Sequence, residues 1–451
     1  MGKTPAMSAT ISGPIDGGTQ GRPWSMPQAD LAARGYVAEE YFLDGTATRY
    51  RPKGDALLSA DGRWDAEPDG TAEYRTRVLV VRPNDPAAGN GTAVVQWLNV
   101  TAGYDLGTAD DEELLSGYVW VGVSAQKVGI DGFPPEAPRY SGRQAPMPAL
   151  KVWDPERYAS LVHPGDRYSF DIFTQAGAAV RSGALTGDVR VERMIATGAS
   201  QSGARLTTYI NAVHPLVGLY QAFVPTITGG AGSLLGDIPP NTPTTDVARR
   251  MTRTRMRNDI NEPVMIVNSE CEAVAMYPAR RDDDDTFRFW EVAGAPHVVA
   301  VAAAQTPREG GRIDNPLTYR PVLSAAYGAV HRWLVDGTPP AVQPRISFVD
   351  DSTIVRDSYG NAVGGIRLPE MGAPIAEYHG RDEATGLLAL YGWARPFSRD
   401  ELRSLYGSRE AYVDAFRAAV DDLAATGALR AKDVPSTKDS AEKIAADLDL
   451  A

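Results

Sequence analysis

A serine, two glutamates and a histidine follow one another along the chain in positions suited to nucleophilic catalysis. Ser200 lies within Gly198-Ala-Ser-Gln-Ser-Gly, between an apolar run and a helix-forming stretch. A strand, a cramped turn and a helix are the parts of a nucleophile elbow, which exposes one hydroxyl at its apex. Ser202 stands where the usual motif has glycine, so the match is a near one. A Gly/Ser turn that caps a helix is the alternative interpretation.

Two further strand ends supply the other groups. An apolar, β-branched run over 263–267 is typical of a buried parallel strand, and Glu270 and Glu272 follow it directly. The alternating, aromatic-rich run over 286–292 predicts another strand, and His297 follows on a Gly/Ala/Pro loop. Catalytic groups gather at the carboxyl ends of strands in open parallel sheets. We therefore expect the serine, one glutamate and the histidine to act together.

His297 is the favoured base because, among five histidines, it alone follows a strand downstream of both other groups. The remaining histidines are predicted to end helices, pack or lie in loops: His163, His214, His331 and His379. Glu272 is favoured as the acid because it lies a few residues past its strand. Glu270 stays open as the alternative acid. For each glutamate, the alternative interpretation is a loop carboxylate that is solvated or that pairs with an arginine.

These residue types meet the chemical demands of acyl transfer. A serine hydroxyl needs an adjacent base, which imidazole supplies, and a carboxylate holds the imidazole in the correct tautomer. The developing oxyanion also needs preorganised donors. We expect these to be the backbone N–H of Gln201 and that of Thr101 or Val100, in the loop 99–103 after a strand over 92–98. An ordinary strand-to-helix turn is the alternative for this loop.

Segments spread over nearly the whole chain resemble the α/β-hydrolase domain-containing family of serine carboxylesterases. The matching segments are 31–37, 97–103, 117–126, 163–172, 198–203, 291–297, 333–340 and 364–369. The resemblance implies an α/β-hydrolase fold and ester hydrolysis through an acyl-enzyme, with Ser200 as nucleophile and His297 as base. The family often has Glu-x-Asp after the acid strand, where this chain has Glu270-Cys271-Glu272.

Composition indicates a globular protein and disfavours some classes of partner. The chain has 451 residues, 43% of them hydrophobic and 23% charged, which is close to globular norms. Its net charge of −12 disfavours nucleic acid and anionic membranes as partners. No apolar run approaches the length of a membrane span. No zinc spacing or nucleotide-binding motif is present, so we expect neither metal nor cofactor.

Strand and helix patterns alternate, which predicts an α/β fold with a mostly parallel, doubly wound sheet and helices on both faces. We expect one domain over 1–451, with a lead-in over 1–50 and a helical extension over 398–451. Long Pro- or Gly-rich stretches over 130–156 and 226–258 predict lid-like insertions that shape the pocket.

Several local predictions accompany this architecture. Residues 74–83 are expected to form an edge strand, and residues 110–115 a short helix. The acidic run 282–285 is expected to be a solvated turn, with a calcium site as the alternative. Cys271, the single cysteine, is predicted to be a buried packing residue. Arginines of the second insertion are expected to lie on a solvated helix, with attraction of an acidic substrate as the alternative: Arg249, Arg250, Arg253, Arg255 and Arg257.

These inferences predict a serine carboxylic-ester hydrolase that acts on a small or medium neutral ester. Acyl transfer, or lactone or polyester cleavage, on the same residues is an alternative, and a non-catalytic binding protein is a further one. Residues 1–18 lack the basic stretch and apolar core of a signal peptide, so a cytoplasmic location is expected. The oligomeric state is left open.

Overall fold

The computed structural model describes residues 9–54, 59–133, 147–235, 253–299, 309–384, 386–448 and 450. The chain forms two compact units. The first comprises Met1–Val264 and Pro278–Arg281, and the second Met265–Tyr277 and Asp282–Ala451. The expectation of one domain over 1–451 stays a prediction. Within the described residues, none of the helices is long and apolar enough to cross a membrane.

The first unit is built on a sheet whose central strands are parallel. Its strands are β1 (Thr10–Ser12), β2 (Tyr36–Pro52), β3 (Ala66–Pro83), β4 (Thr92–Trp97), β5 (Val119–Val123), β6 (Arg193–Ala199) and β7 (Ala222–Thr226). They lie in the order β1-β2-β3-β5-β4-β6-β7. Strands β5, β4, β6 and β7 pair in parallel, and β3 pairs with β5 in antiparallel fashion. Strand β5 is buried along its whole length, as expected for parallel strands covered on both faces.

The strand predicted over 74–83 is confirmed as part of β3, but its predicted place at the edge is wrong. Strand β2, which lies in the predicted lead-in, pairs with β3 along almost its whole length, from Tyr36 opposite Pro83 to Pro52 opposite Ala66. The exposure of β2 varies along its length instead of alternating cleanly, so its sequence lacks the period-two signal of a strand.

The helices of the first unit connect these strands. They are α1 (Lys127–Asp131), α2 (Leu150–Trp153), α3 (Pro155–Tyr158), α4 (Ser169–Arg181), α5 (Gln201–Thr208) and α6 (His214–Val217). A π-helical turn over Tyr209–Val213 continues α5. The short helix predicted over 110–115 is wrong, because residues 112–117 form turns. Asp111 accepts from the N–H groups of Glu113 and Leu114 as a helix cap would, but Gly117 (φ 107°) and the start of β5 end the segment before helical hydrogen bonds can repeat.

Parts of both predicted insertions lie outside the described residues, namely 134–146 and 236–252, which include Arg249 and Arg250. In the described remainder of the second insertion, the predicted arginine helix is wrong. Residues 253–257 are not helical, and Arg257 is buried against Asp259 with its Nε 2.7 Å from that carboxylate. The guanidinium also donates to the carbonyl of Asn211, so packing and a local ion pair replace the expected solvent exposure.

The lead-in is attached to the first unit by a buried cluster of apolar and aromatic side chains. Its buried members are Trp24, Phe42, Tyr104, Ile130, Leu150, Tyr158 and Leu161. The indole of Trp24 donates to the carbonyl of Asp105 at 3.1 Å, and the hydroxyl of Ser25 donates to the carbonyl of Gly107 at 3.2 Å. The lead-in therefore supports the chain that directly follows the loop 99–103.

The second unit contains strands, helices and a small separate sheet. Strand β8 (Val264–Ser269), which starts at the last residue of the first unit, neighbours β9 (Phe287–Val292) in the strand order. The helices are α7 (Glu270–Met276), α8 (Arg320–Asp336), α9 (Pro369–Gly372), α10 (Arg399–Tyr406), α11 (Arg409–Ala425) and α12 (Val434–Asp447). Strands β10 (Ala376–His379) and β11 (Trp393–Pro396) form an antiparallel pair. The predicted α/β class with a mostly parallel sheet is confirmed, and α10 to α12 form the expected C-terminal helices.

Candidate active site

Ser200 occupies the turn between β6 and α5. Its backbone has φ 57° and ψ −116°, a conformation that costs a non-glycine residue free energy and persists only where its surroundings hold it. The N–H of Ser200 donates to the carbonyl of Thr226 at 2.9 Å, and its carbonyl accepts from the N–H of Ala204 at 3.0 Å. The side chain makes no capping hydrogen bond to α5. The hydroxyl is therefore not used as a helix cap.

Small residues and an internal hydrogen bond close this turn. A Cβ on Gly198 would lie 2.7 Å from the carbonyl oxygen of Ser202, and one on Gly203 would lie 3.1 Å from that of Thr226. The hydroxyl of Ser202 donates to the carbonyl of Ala199 and accepts from its N–H, both at 2.9 Å. Ser202 is fully buried. It therefore braces the turn and explains why serine can stand where the usual motif has glycine.

The loop 99–103 begins where β4 ends and is bonded to the elbow. Asn99 Nδ2 donates to the carbonyl of Ala199 at 2.9 Å, and Asn99 Oδ1 accepts from the N–H of Thr101 at 2.8 Å. Thr101 therefore uses its amide within the loop. Among the residues that the structure describes, the N–H of Val100 has no hydrogen-bond partner. The N–H of Gln201 lies in the first turn of α5, where backbone donors have no intrahelical acceptor.

In the second unit, Glu272 and His297 form a close pair. His297 Nδ1 lies 2.6 Å from Glu272 Oε1, and the two side chains are 13% and 5% exposed. The other oxygen, Oε2, accepts from the N–H and the hydroxyl of Ser269 at 3.0 and 2.7 Å. Ser269 and Glu272 thus form a capping box at the start of α7, where the helix dipole favours a carboxylate. Burial, and then the charge of Glu272, raises the pKa of Tyr319 to about 12, so this neighbour stays neutral.

Glu270, the alternative acid, has other partners. Its oxygens accept from the N–H of Gly294 at 2.7 Å and from that of Gly380 at 3.0 Å, and Arg356 Nη2 lies 2.8 Å away. Its side chain is 2% exposed. The geometry of this unit therefore places Glu272, and not Glu270, in hydrogen-bond contact with the imidazole.

The four remaining histidines lie on other parts of the fold. Burial lowers the pKa of His163, whose Nε2 lies 2.8 Å from the carbonyl of Ala125. His214 Nε2 lies 3.2 Å from Glu262. His379 stacks on Trp393 with 3.9 Å between the ring centroids, and His331 lies on α8.

Cys271 is buried, as predicted. Burial, and then the negative charge of Glu272, raises the pKa of its thiol to about 12. The thiol is therefore protonated at neutral pH and does not act as a nucleophile.

The acidic run 282–285 is a structured turn before β9. Asp283 pairs with Arg345 at 2.6 Å and accepts from the N–H of Phe289 at 2.8 Å, and Asp284 accepts from the N–H of Thr286. Across the described part of the chain, no group of three or more His, Cys, Asp or Glu side chains is placed to hold a metal ion.

Three residues that support the site were not found by sequence reasoning. Ser269 could have been, because Ser-x-x-Glu before an apolar stretch is the signature of a capping box, and Ser269-Glu-Cys-Glu272 fits it. Asn99 carried a weaker signal, since Asn after a strand favours a turn. Arg356 carried none, because it lies 86 positions from the glutamate that it contacts.

Comparisons with known proteins give one family match. A family model described as an alpha/beta hydrolase domain matches residues 11–438. A search of the curated proteins finds no match.

Several solved structures are similar to this chain at low sequence identity. The rice cell wall degrading esterase LipA from Xanthomonas oryzae is 9% identical, with 57% of this chain and 84% of that chain covered and a TM-score of 0.32. A glucuronoyl esterase from Solibacter usitatus is 11% identical, with 64% and 82% covered and a TM-score of 0.30. A putative dienelactone hydrolase from Klebsiella pneumoniae is 14% identical, with 55% and 85% covered and a TM-score of 0.25.

Proposed function

Because the chain belongs to the alpha/beta hydrolase domain family, we propose that it is a serine carboxylesterase that hydrolyses a small or medium neutral ester. The observation that carries this proposal is the backbone of Ser200, whose φ of 57° and ψ of −116° are held between β6 and α5. Strain of this kind at a strand-to-helix turn is the signature of a nucleophile elbow. The free hydroxyl on that turn then supplies the nucleophile.

In the proposed mechanism, Ser200 Oγ attacks the ester carbonyl while His297 takes the hydroxyl proton. The tetrahedral intermediate collapses, and His297 gives the proton to the departing alcohol. A water molecule then attacks the acyl-enzyme, with its proton passing to His297, and the carboxylic acid leaves as Ser200 regains its hydrogen. Glu272 on Nδ1 supports this assignment, because it leaves Nε2 as the ring nitrogen that exchanges the proton.

Oxyanion stabilisation is assigned to the backbone N–H groups of Gln201 and Val100. Because the N–H of Thr101 already donates to Asn99, the N–H of Val100 is favoured as the second donor. Removing one such donor costs about 10²–10³ in rate in enzymes of this type, so the state of this loop is decisive for catalysis.

Ser200→Ala tests the proposal, with Ser116→Ala as the control, since Ser116 is exposed and its hydroxyl donates to the carbonyl of Glu113. We expect Ser200→Ala to lower kcat on short p-nitrophenyl esters by about 10⁴-fold or more, because no other group replaces the nucleophile. A fluorophosphonate probe should label wild type and Ser116→Ala at Ser200, as mapped by mass spectrometry, and should not label Ser200→Ala. Full activity of Ser200→Ala, or a label on another residue, would overturn the assignment. Product analysis with an added alcohol separates hydrolysis from acyl transfer, because a hydrolase releases mainly free acid.

A further inference from the structure

The carboxylate of Glu270 joins three segments of the second unit that are far apart in sequence. Oε2 accepts from the N–H of Gly294 at 2.7 Å, and Oε1 accepts from the N–H of Gly380 at 3.0 Å and from Arg356 at 2.8 Å. All these bonds involve a charged acceptor and a nearly fully buried side chain, conditions under which hydrogen bonds are strong. Glu270 is thus a junction between the start of α7 and two loops.

One of these loops carries the proposed base. Gly294 lies three positions before His297, and its carbonyl accepts from Asn315 Nδ2 at 2.7 Å. The peptide is therefore held at its N–H by Glu270 and at its carbonyl by Asn315. Gly294 has φ 72°, and a Cβ there would lie 2.7 Å from Met371 Sδ, so the chain has little room to move at this point.

The two glutamates at the start of α7 therefore have separate contacts with the same loop. Glu272 contacts the imidazole of His297, whereas Glu270 holds the backbone from which that imidazole extends. Because both glutamates belong to one helical turn, α7 sets the separation between the acid and the loop that bears the base. Arg356 balances the charge of Glu270, because a buried carboxylate without a cationic partner is costly in free energy.

We propose that Glu270 is a positioning residue for catalysis, which holds the loop 293–297 so that His297 Nδ1 stays on Glu272. This inference rests on the proposed function, since it assigns Glu270 a role through the proposed base. Glu270 does not touch the reacting atoms in this assignment. Its effect is on the alignment of the imidazole, and a small misalignment is costly in catalysis.

Glu270→Gln is the direct test, because it keeps the side-chain shape while removing the charge and one acceptor oxygen. We expect kcat per active serine, titrated with the fluorophosphonate probe, to fall about 10- to 100-fold, with KM little changed. The far-downfield proton NMR resonance of His297 Nδ1–H, assigned by its loss in Glu272→Gln, should shift or broaden. Loss of fold alone would lower the titrated serine without changing kcat per site.

Glu377→Gln is the matched control. Glu377 also bonds a histidine and an arginine, with 3.0 Å to His379 Nε2 and 3.0 Å to Arg395 Nε, but it makes no hydrogen bond to the loop 293–297. Its kcat and the resonance of His297 should match wild type. A wild-type kcat and resonance in Glu270→Gln, or an equal loss in Glu377→Gln, would overturn the proposal.

Arg356→Gln provides a second route should Glu270→Gln fail to fold. It leaves both backbone bonds to Glu270 but removes the charged partner, so a smaller loss of kcat with the same change in the resonance is expected. An unchanged kcat and resonance in Arg356→Gln would count against the proposal. The NMR readout needs no turnover, so it tests Glu270 even where Ser200→Ala retains activity and the proposed function itself fails.

Discussion

Ser200 holds a backbone conformation that costs a non-glycine residue about 1–3 kcal/mol, and its immediate neighbours offset that cost. Ser202 bonds both polar groups of Ala199, Thr226 accepts from the N–H of Ser200, and Asn99 binds the carbonyl of Ala199. These bonds converge on the residues beside the nucleophile. At the scale of single residues, therefore, hydrogen bonds to backbone groups help to hold the elbow.

Asn99→Ala is predicted to lower kcat by about 10²-fold, because the loop would lose the bonds that align the amide of Val100 as an oxyanion donor. Asn90→Ala is the control. Asn90 lies before the other end of β4, and its Oδ1 accepts from the N–H of Thr92 at 2.9 Å, as Asn99 Oδ1 accepts from Thr101. Steady-state kinetics on a p-nitrophenyl ester should show the loss in the first variant alone. Equal kcat values in the two variants would contradict the role given to Asn99.

At the scale of elements, a buried ionic cluster binds β2, β3 and α3 together. Glu40 on β2 accepts from Arg77 on β3 at 2.7 Å and from Arg157 on α3 at 2.5 Å, and all three side chains are at most 2% exposed. Tyr158 donates to the same carboxylate at 2.8 Å. Arg157 also donates to the carbonyls of Ile15 and Gly17 in the lead-in. One carboxylate thus connects β2 and β3 with α3, and Arg157 extends the connection to the backbone of residues 15–17.

Glu40→Gln is predicted to lower the free energy of unfolding by about 3–5 kcal/mol, because two buried guanidinium groups lose their charged partner. Its neighbour Glu39 provides the control. Glu39 pairs with Arg82 at 2.8 Å on a more exposed face, where the side chains are 25% and 15% exposed. Glu39→Gln should cost no more than about 1 kcal/mol. Urea denaturation followed by circular dichroism measures both, and similar losses in the two variants would refute the argument.

At the scale of the whole molecule, stability should depend on pH through buried histidine. Burial lowers the pKa of His163 below its ordinary value of 6.5, against the opposing influence of the hydrogen bond to the carbonyl of Ala125 and of the charges of Asp166 and Asp131. The folded state therefore resists the proton that the unfolded state binds. By linkage, stability is complete above pH 6.5, decreases as the pH falls from 6.5 to the folded pKa, and then levels off.

His163→Gln should remove this component, because glutamine does not titrate and its amide can still donate to the carbonyl of Ala125. The free energy of unfolding of wild type should fall more steeply below pH 6.5 than that of the variant, by up to about 1.4 kcal/mol per pH unit. Thermal or urea unfolding measured between about pH 7.5 and about pH 5 gives the two slopes. Parallel slopes in wild type and variant would show that His163 does not contribute.

Sequence reasoning succeeded where short-range patterns decide the structure. The apolar runs before Ser200 and Glu270 form β6 and β8, and the helices over 399–425 follow from their apolar periodicity. It failed where a distant partner decides. Residues 74–83 do not form an edge strand, because β2 pairs with them. Arg257 is buried and not in solvent, because Asp259 and Asn211 bind its guanidinium.

The order of chemical groups along the chain, and the strand end on which each one falls, were determined by the sequence alone. Both follow from hydrophobic periodicity and from the small residues around Ser200, which act over a few positions. Tertiary structure decided which glutamate contacts His297 and that Thr101, rather than Val100, uses its N–H within the loop 99–103. The physical reason is that such choices depend on side-chain direction and on partners far away in sequence. A helix cap turns Glu272 toward the imidazole, while Arg356 and Gly294 hold Glu270 elsewhere.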